Sequence, residues 1–307
     1  MDFWDKSTGR ESSKVSALPW DVLCRAPNCS WQACFLPQAF QMWNKDLQWQ
    51  PIPVFPNLLD RNDMVPPSGP NFCPKYREVQ KKPMKEYLEE YKSELDKLVE
   101  YALPYTGYNT DDLKSQKMGG FLRVSILFVL WESFIYPQGD GLPLPDWSKK
   151  IFPEPLTFLI KKAFLATSIG TDLQIRYLEG EMFKEMVEHM RAKEKNTKES
   201  SERMFYYSGH DHTIVGLQAI LGFDTEALGL VEPASALIFE LHQNPDADGQ
   251  FYVQVLHIDG SSPDSEPKNV NIPRCEYPCD FHLFLNITEK YYNITDYQKE
   301  CQLDLTA

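Results

Sequence analysis

Met204-Phe205-Tyr206-Tyr207-Ser208-Gly209-His210-Asp211-His212-Thr213-Ile214-Val215-Gly216-Leu217-Gln218-Ala219-Ile220-Leu221-Gly222 changes its hydrophobic period in mid-course. Met204 to Tyr207 is a short apolar, aromatic run closed by Ser208-Gly209, the pattern of a buried strand ending in a tight turn. Thr213 to Leu221 then carries its apolar residues at helical spacing and stops at Gly222, a good C-terminal breaker. The spacing therefore predicts a strand, a turn and a helix in succession. It also puts a histidine and an aspartate at the C-terminal tip of the strand, where α/β folds place ligands.

The first N–H groups and the dipole of the following helix favour an anion at that tip, a phosphate especially. His210 can then donate to a phosphate oxygen while Asp211 gives a proton to a leaving group. A plainer reading makes Asp211 the N-cap of a helix beginning near His212. A third has His210 and His212, two apart, share a metal ion, but no further ligand is spaced to complete such a site. No metal or cofactor is expected. His189, His242 and His257 have no partner motif nearby and read as surface or hydrogen-bonded structural residues.

Upstream, Leu178, Met182, Phe183, Met186, Val187 and Met190 form one stripe of a helix over about 172–195, and its methionines read as core packing. Downstream, Ala236 to His242 and Gln250 to His257 read as strands of a hairpin with a long loop, and the last fifty residues look irregular. Proline-rich punctuation between Pro51 and Pro74 sets a boundary near Cys73. Beyond it, apolar residues from Met84 to Ala102 at three- and four-residue steps predict one amphipathic helix. Runs at about 120–134 and 156–166 add two more, so 73–166 reads as an all-helical insertion.

The 307 residues are 42% hydrophobic and 24% charged, ordinary values for a folded globular chain. Lysine and arginine number 31 against 44 acidic residues, and the net charge of −13 with no basic tract argues against a nucleic-acid partner. The longest apolar run, Phe121 to Trp131, is broken by Arg123 and falls short of the ~20 residues that span a membrane.

The first fifteen residues carry Asp2, Asp5, Lys6, Arg10, Glu11 and Lys14 and lack the apolar stretch of a signal peptide. Three N-glycosylation sequons, at Asn28, Asn286 and Asn293, point the other way, to the secretory pathway. The seven cysteines, 24, 29, 34, 73, 275, 279 and 301, include no CxxC pair, and their odd number predicts at least one free or intermolecular thiol.

Taken together, Ser208-Gly209-His210-Asp211-His212-Thr213, Trp43-Asn44 with Trp49-Gln50-Pro51-Ile52-Pro53-Val54, Cys73-Pro74-Lys75-Tyr76 and Cys275-xxx-Cys279 with Cys301 resemble the histidine acid phosphatases of prostatic and lysosomal type. The resemblance runs from about residue 30 to residue 307. It implies an α/β fold, a mixed sheet flanked by helices of the phosphoglycerate mutase-like kind. The core would comprise 30–72 and 167–307, with an inserted helical cap at 73–166 and a divergent N-terminus at 1–29.

The implied activity is hydrolysis of small phosphate monoesters through a phosphohistidine, in an extracellular or lysosomal setting. His210 would be the phosphate-binding histidine and Asp211 the proton donor. Cys73 would pair with Cys301 and Cys275 with Cys279, and family relatives suggest a homodimer. Two departures stand out. No Arg-His-Gly occurs in the chain, so the family's nucleophile has no counterpart, and the segment expected to hold phosphate arginines reads Ser16-Ala17-Leu18-Pro19-Trp20-Asp21-Val22, with Arg25 out of register. The family's histidine after the Pro-Ile-Pro-Val element is Phe55 here. The expected chain is thus an incomplete form, without the family's first core strand and with little or no turnover. The alternative is a secreted, non-catalytic binder of small phosphorylated ligands.

Overall fold

The computed structural model describes residues 13–18, 73–108, 119–195, 204–224, 230–244, 249–262 and 264–302. Asn28, Cys24, Cys29, Cys34, Arg25, Phe55, Trp43-Asn44 and the Trp49 to Val54 run lie outside them, as do most of the expected segments 1–29 and 30–72. The chain divides into two compact units, one of residues 75–174 and one of residues 1–74 with 175–307.

The first unit is helical. It holds α1 (Pro74–Glu90), α2 (Lys92–Ala102), α3 (Gly119–Gly139) and α4 (Leu156–Ser168), with short 3₁₀ turns at Leu103–Tyr105 and Asp146–Lys150. The helix expected over 84–102 is in fact two, because Tyr91 leaves helical geometry at φ −101° and ψ 18°. The apolar spacing continues across that residue, so the sequence pattern does not register the break. Leu95, Leu98, Leu127, Leu156, Leu159 and Ile160 are buried in one core, each burial contributing about 1.5–3 kcal/mol. Trp147 is packed between Tyr105, stacked at 4.2 Å, and Phe134, edge-on at 5.3 Å.

The second unit is α/β. Its sheet is built from β1 (Ser13–Leu18), β2 (Met204–Ser208), β3 (Ala236–Gln243), β4 (Phe251–Ile258), β5 (Lys268–Val270) and β6 (Cys279–Asp280), in the order β2-β1-β3-β4-β5 with β6 also on β4. β1 runs parallel to β2, with Lys14 opposite Met204 and Leu18 opposite Ser208, and antiparallel to β3. A mixed sheet was expected, but not this strand: residues 13–18 of the divergent N-terminus occupy an inner position that the sequence reading left empty. The helices of this unit are α5 (Asp172–Glu194), α6 (Asp211–Leu221), α7 (Phe281–Tyr292) and the single turn α8 (Tyr297–Glu300).

The C-terminal stretch is more regular than expected. α7 is amphipathic, with Phe281, Phe284, Leu285, Thr288 and Tyr292 buried, and Asp280 caps it by accepting the Leu283 N–H at 2.8 Å. Phe183 of α5 meets Phe239, Phe284 and Tyr292 at ring distances of 6.0–6.3 Å, which joins α5, the sheet and α7 in one core. Cys73 is bonded to Cys301 and Cys275 to Cys279, the two pairs the resemblance implies.

Candidate functional site

β2 delivers the chain to its tip at Ser208, and Gly209 makes the turn. A Cβ on Gly209 would lie 2.9 Å from Thr213 Oγ1 and 3.0 Å from Thr213 Cβ, so the close return of the helix onto the turn requires a glycine. α6 then begins at Asp211 rather than near His212. His210, extended at φ −108° and ψ 175°, holds the N-cap position, and its carbonyl accepts the Thr213 N–H at 3.1 Å. The plainer reading of Asp211 as the cap is therefore corrected by one residue. Asp211 is the first helical residue, where its negative charge meets the positive end of the helix dipole. At the far end Gly222, at φ 89°, closes α6 with its N–H on the Ala219 carbonyl.

Three ionisable side chains meet at the tip. Asp211 Oδ1 accepts the His212 N–H at 2.7 Å and stands 3.4 Å from His212 Nδ1. The His210 and His212 rings are stacked at 4.9 Å and 13°. Asp211 is the most open of the pair it forms with His212, 38% exposed against 20%. A carboxyl so placed can exchange protons with a ligand, and the imidazole beside it can donate to an oxygen.

Beneath the tip lies Glu179 of α5, only 2% exposed. Burial pushes its carboxyl well above the usual carboxylate range, and the influence of Thr213 pulls it part of the way back. Thr213 Oγ1 in turn accepts the His210 N–H at 3.2 Å. Sequence reading passed over both residues. The signal was there: Glu179 lies four residues from Ile175 and from Phe183, on the apolar stripe of α5.

The other histidines have structural partners. His189 stacks on Phe205 at 3.6 Å and its Nε2 lies 3.4 Å from Glu185 Oε1, which also accepts the Tyr207 hydroxyl at 2.9 Å. Burial and the neighbouring Glu185 push the Tyr207 phenol up. His242 is 2.9 Å from Glu240 and stacks on Tyr252. His257 is half-buried, which lowers its pKa. Among the described residues no group of three His, Cys, Asp or Glu side chains is arranged to hold a metal ion, and no helix is long and apolar enough to cross a membrane.

Residues 173–257, which contain α5, the β2 tip and the β3–β4 hairpin, match the family model described as histidine phosphatase superfamily (branch 2). Over 304 residues the chain is 25% identical to the lysosomal acid phosphatase of Homo sapiens, covering 98% of this chain and 67% of that one. Over most of its length the chain is similar to acid phosphatases. The venom acid phosphatase Acph-1 of Apis mellifera is 25% identical over 263 residues, 84% of this chain and 61% of its own length. The prostatic acid phosphatase of Bos taurus is 25% identical over 98% of this chain and 73% of that one. Among solved structures, the apo form of Hafnia alvei phytase aligns over 78% of this chain and 72% of its own, at a TM-score of 0.48 and 16% identity. The His210-Asp211 tip lies inside the segment that matches the histidine phosphatase superfamily model.

Proposed function

We propose that the chain binds small phosphate monoesters at the His210-Asp211 tip, in an acid phosphatase-type site. The supporting observation is the placement of both residues at the N-terminus of α6, inside the segment that matches the histidine phosphatase family. The anion sits against the helix N-terminus and accepts from the His210 ring. As a water adds to phosphorus and the ester P–O bond breaks, Asp211 in its acid form gives its proton to the departing alcohol oxygen and takes one back from the added water.

Hydrolysis in this family passes through a phosphohistidine, and the 307 residues hold no Arg-His-Gly to form one. Losing a nucleophile that acts as part of a unit costs about six orders of magnitude in a well-studied hydrolase. Turnover by this chain is accordingly slow or absent, and that missing motif favours a second reading: a secreted protein that binds phosphorylated ligands without consuming them.

The secretory setting is supported by the two disulfides and by sequons whose Asn286 and Asn293 are both exposed. The helical unit of residues 75–174 is the counterpart of the expected cap. A homodimer without nucleic-acid partners fits the family and the negative net charge.

The test is hydrolysis of a chromogenic aryl phosphate at acid pH by the chain and by Asp211→Asn, with phosphate affinity measured in parallel. Turnover lost in the variant establishes Asp211 as the leaving-group acid. Affinity for phosphate without turnover establishes the binder. Neither turnover nor affinity in a folded chain refutes the phosphate site.

A further inference from the structure

Asn286-Ile287-Thr288 lies inside α7, and Asn293-Ile294-Thr295 follows directly after it. Glycan transfer to such a sequon requires the asparagine amide and the hydroxyl two residues on to be read together. In a helix, residues two apart do not face the same side. α7 shows the consequence. Asn286 is exposed, whereas Thr288 is 0% exposed and its hydroxyl donates to the Phe284 carbonyl at 2.8 Å. The folded helix therefore presents the acceptor nitrogen and hides the group that completes the recognition.

The second sequon is arranged the other way. Asn293 ends α7 with its N–H on the Glu289 carbonyl at 2.9 Å, and at ψ 68° it leaves helical geometry. Ile294 is the buried residue here, and its Cδ1 would lie 2.9 Å from a Cβ on Gly180 of α5. Arg176 and Lys184 hold the segment by its backbone, donating to the Asn293 and Ile294 carbonyls. Asn293 and Thr295, on either side of the inward residue, are both exposed.

We propose that the two asparagines are glycan sites of different stages: Asn286 is modified only while α7 is unfolded, whereas Asn293 remains an acceptor in the folded chain. This rests on the secretory reading above, since the transferring enzyme belongs to that pathway. The donor is an oligosaccharide carried on a lipid diphosphate. The asparagine amide nitrogen bonds to the anomeric carbon of the sugar, the bond from that carbon to the phosphate oxygen breaks, the lipid diphosphate leaves, and the amide gives up one proton. A glycan already on Asn286 lets α7 close, because the side chain that bears it is exposed. Occupancy at Asn286 is thus set by a race between transfer and folding of α7, and occupancy at Asn293 is not.

The test uses the full chain made without glycans, in two forms: folded with its disulfides, and reduced and alkylated. Adducts on Cys73, Cys275, Cys279 and Cys301 keep the second form unfolded, because all four are buried in the fold. Each form is incubated with oligosaccharyltransferase and a lipid-linked oligosaccharide, and peptide mass spectrometry reads both asparagines. The unfolded form is expected to be modified at both. The folded form is expected to be modified at Asn293, with Asn286 slower by about a hundredfold because α7 must open first. Phe284→Ala, which removes a fully buried anchor of α7, is expected to speed modification of Asn286 in the folded form and to leave Asn293 unchanged. Equal rates at Asn286 in the two forms overturn the proposal, as does an Asn293 untouched in the folded form or an Asn286 untouched in the unfolded one. A chain that behaves as expected in these assays but carries no glycan when made in secreting cells overturns the secretory reading and leaves the contrast between the two sequons standing.

Discussion

Arg176 of α5 grips Glu300 of α8 with two prongs, Nε to Oε2 at 3.0 Å and Nη2 to Oε1 at 2.8 Å. The same guanidinium donates through Nη1 to the Lys290 carbonyl at 2.7 Å and through Nη2 to the Asn293 carbonyl, so one side chain ties α5 to the end of α7 and to α8. Its side chain is 16% exposed and that of Glu300 29%, which leaves little solvent to screen the pair. Arg176→Ala is expected to lower stability by about 2 kcal/mol, and Arg176→Lys to recover only part of it because an ammonium cannot make the paired contact. Urea unfolding of the three proteins measures the difference, and equal midpoints would show the network to be idle.

Glu179 gives stability a pH dependence whose direction is fixed by burial. Its carboxyl in the folded state lies well above the unfolded reference of 4.5, so the folded protein holds the proton more tightly. The unfavourable charge is absent below that reference and grows as pH rises toward the folded value. Glu179→Gln is therefore expected to gain stability relative to the parent as pH increases from about 4.5 upward. Melting both proteins across that range tests it, and parallel curves would refute it.

Gly216 faces Glu179 Cγ closely enough that an added methyl must displace it. Gly216→Ala is expected to destabilise by about 1–3 kcal/mol through overpacking, although alanine is the better helix former. In a Glu179→Ala background the same change is expected to become neutral or favourable by up to about 1 kcal/mol. A double-mutant cycle reads the coupling directly.

Cys73 and Cys301 close a span of 228 residues. In the chain-entropy account such a bridge contributes about 5 kcal/mol, and measured bridges commonly deliver 2–4 kcal/mol. Cys73→Ser is expected to lose stability on that scale. With seven cysteines and four of them in the two bridges, a thiol assay on denatured, unreduced protein is expected to find an odd number of free groups, one or three, unless chains are linked to each other.

Much of the α/β unit was legible in the sequence because its elements announce themselves locally. The β2–α6 junction carries a period change and two glycines, and α6, β3 and β4 lie within a residue or two of where the pattern puts them. α7 was passed over because its sequons and scattered aromatic residues obscure a stripe that only the sheet beneath makes apolar. The helix break at Tyr91 has no local breaker to betray it. At the site, His210 and Asp211 were legible as a dipeptide, whereas Glu179 packs against Gly216 of α6 from a helix about thirty residues upstream of them, a distance no motif spans.

The place of β1 in the sheet bears on how the chain comes off the ribosome. Lys14 pairs with Met204 and Ser13 with Leu241, so this strand emerges long before either partner has been made. Pairings of such long range are slow to form, and a parallel one slower still. Until β2 and β3 arrive, both edges of β1 have unmet hydrogen-bonding groups, the kind of edge that recruits foreign strands. Synthesis thus carries a waiting period of nearly two hundred residues in which β1 has neither of its sheet partners.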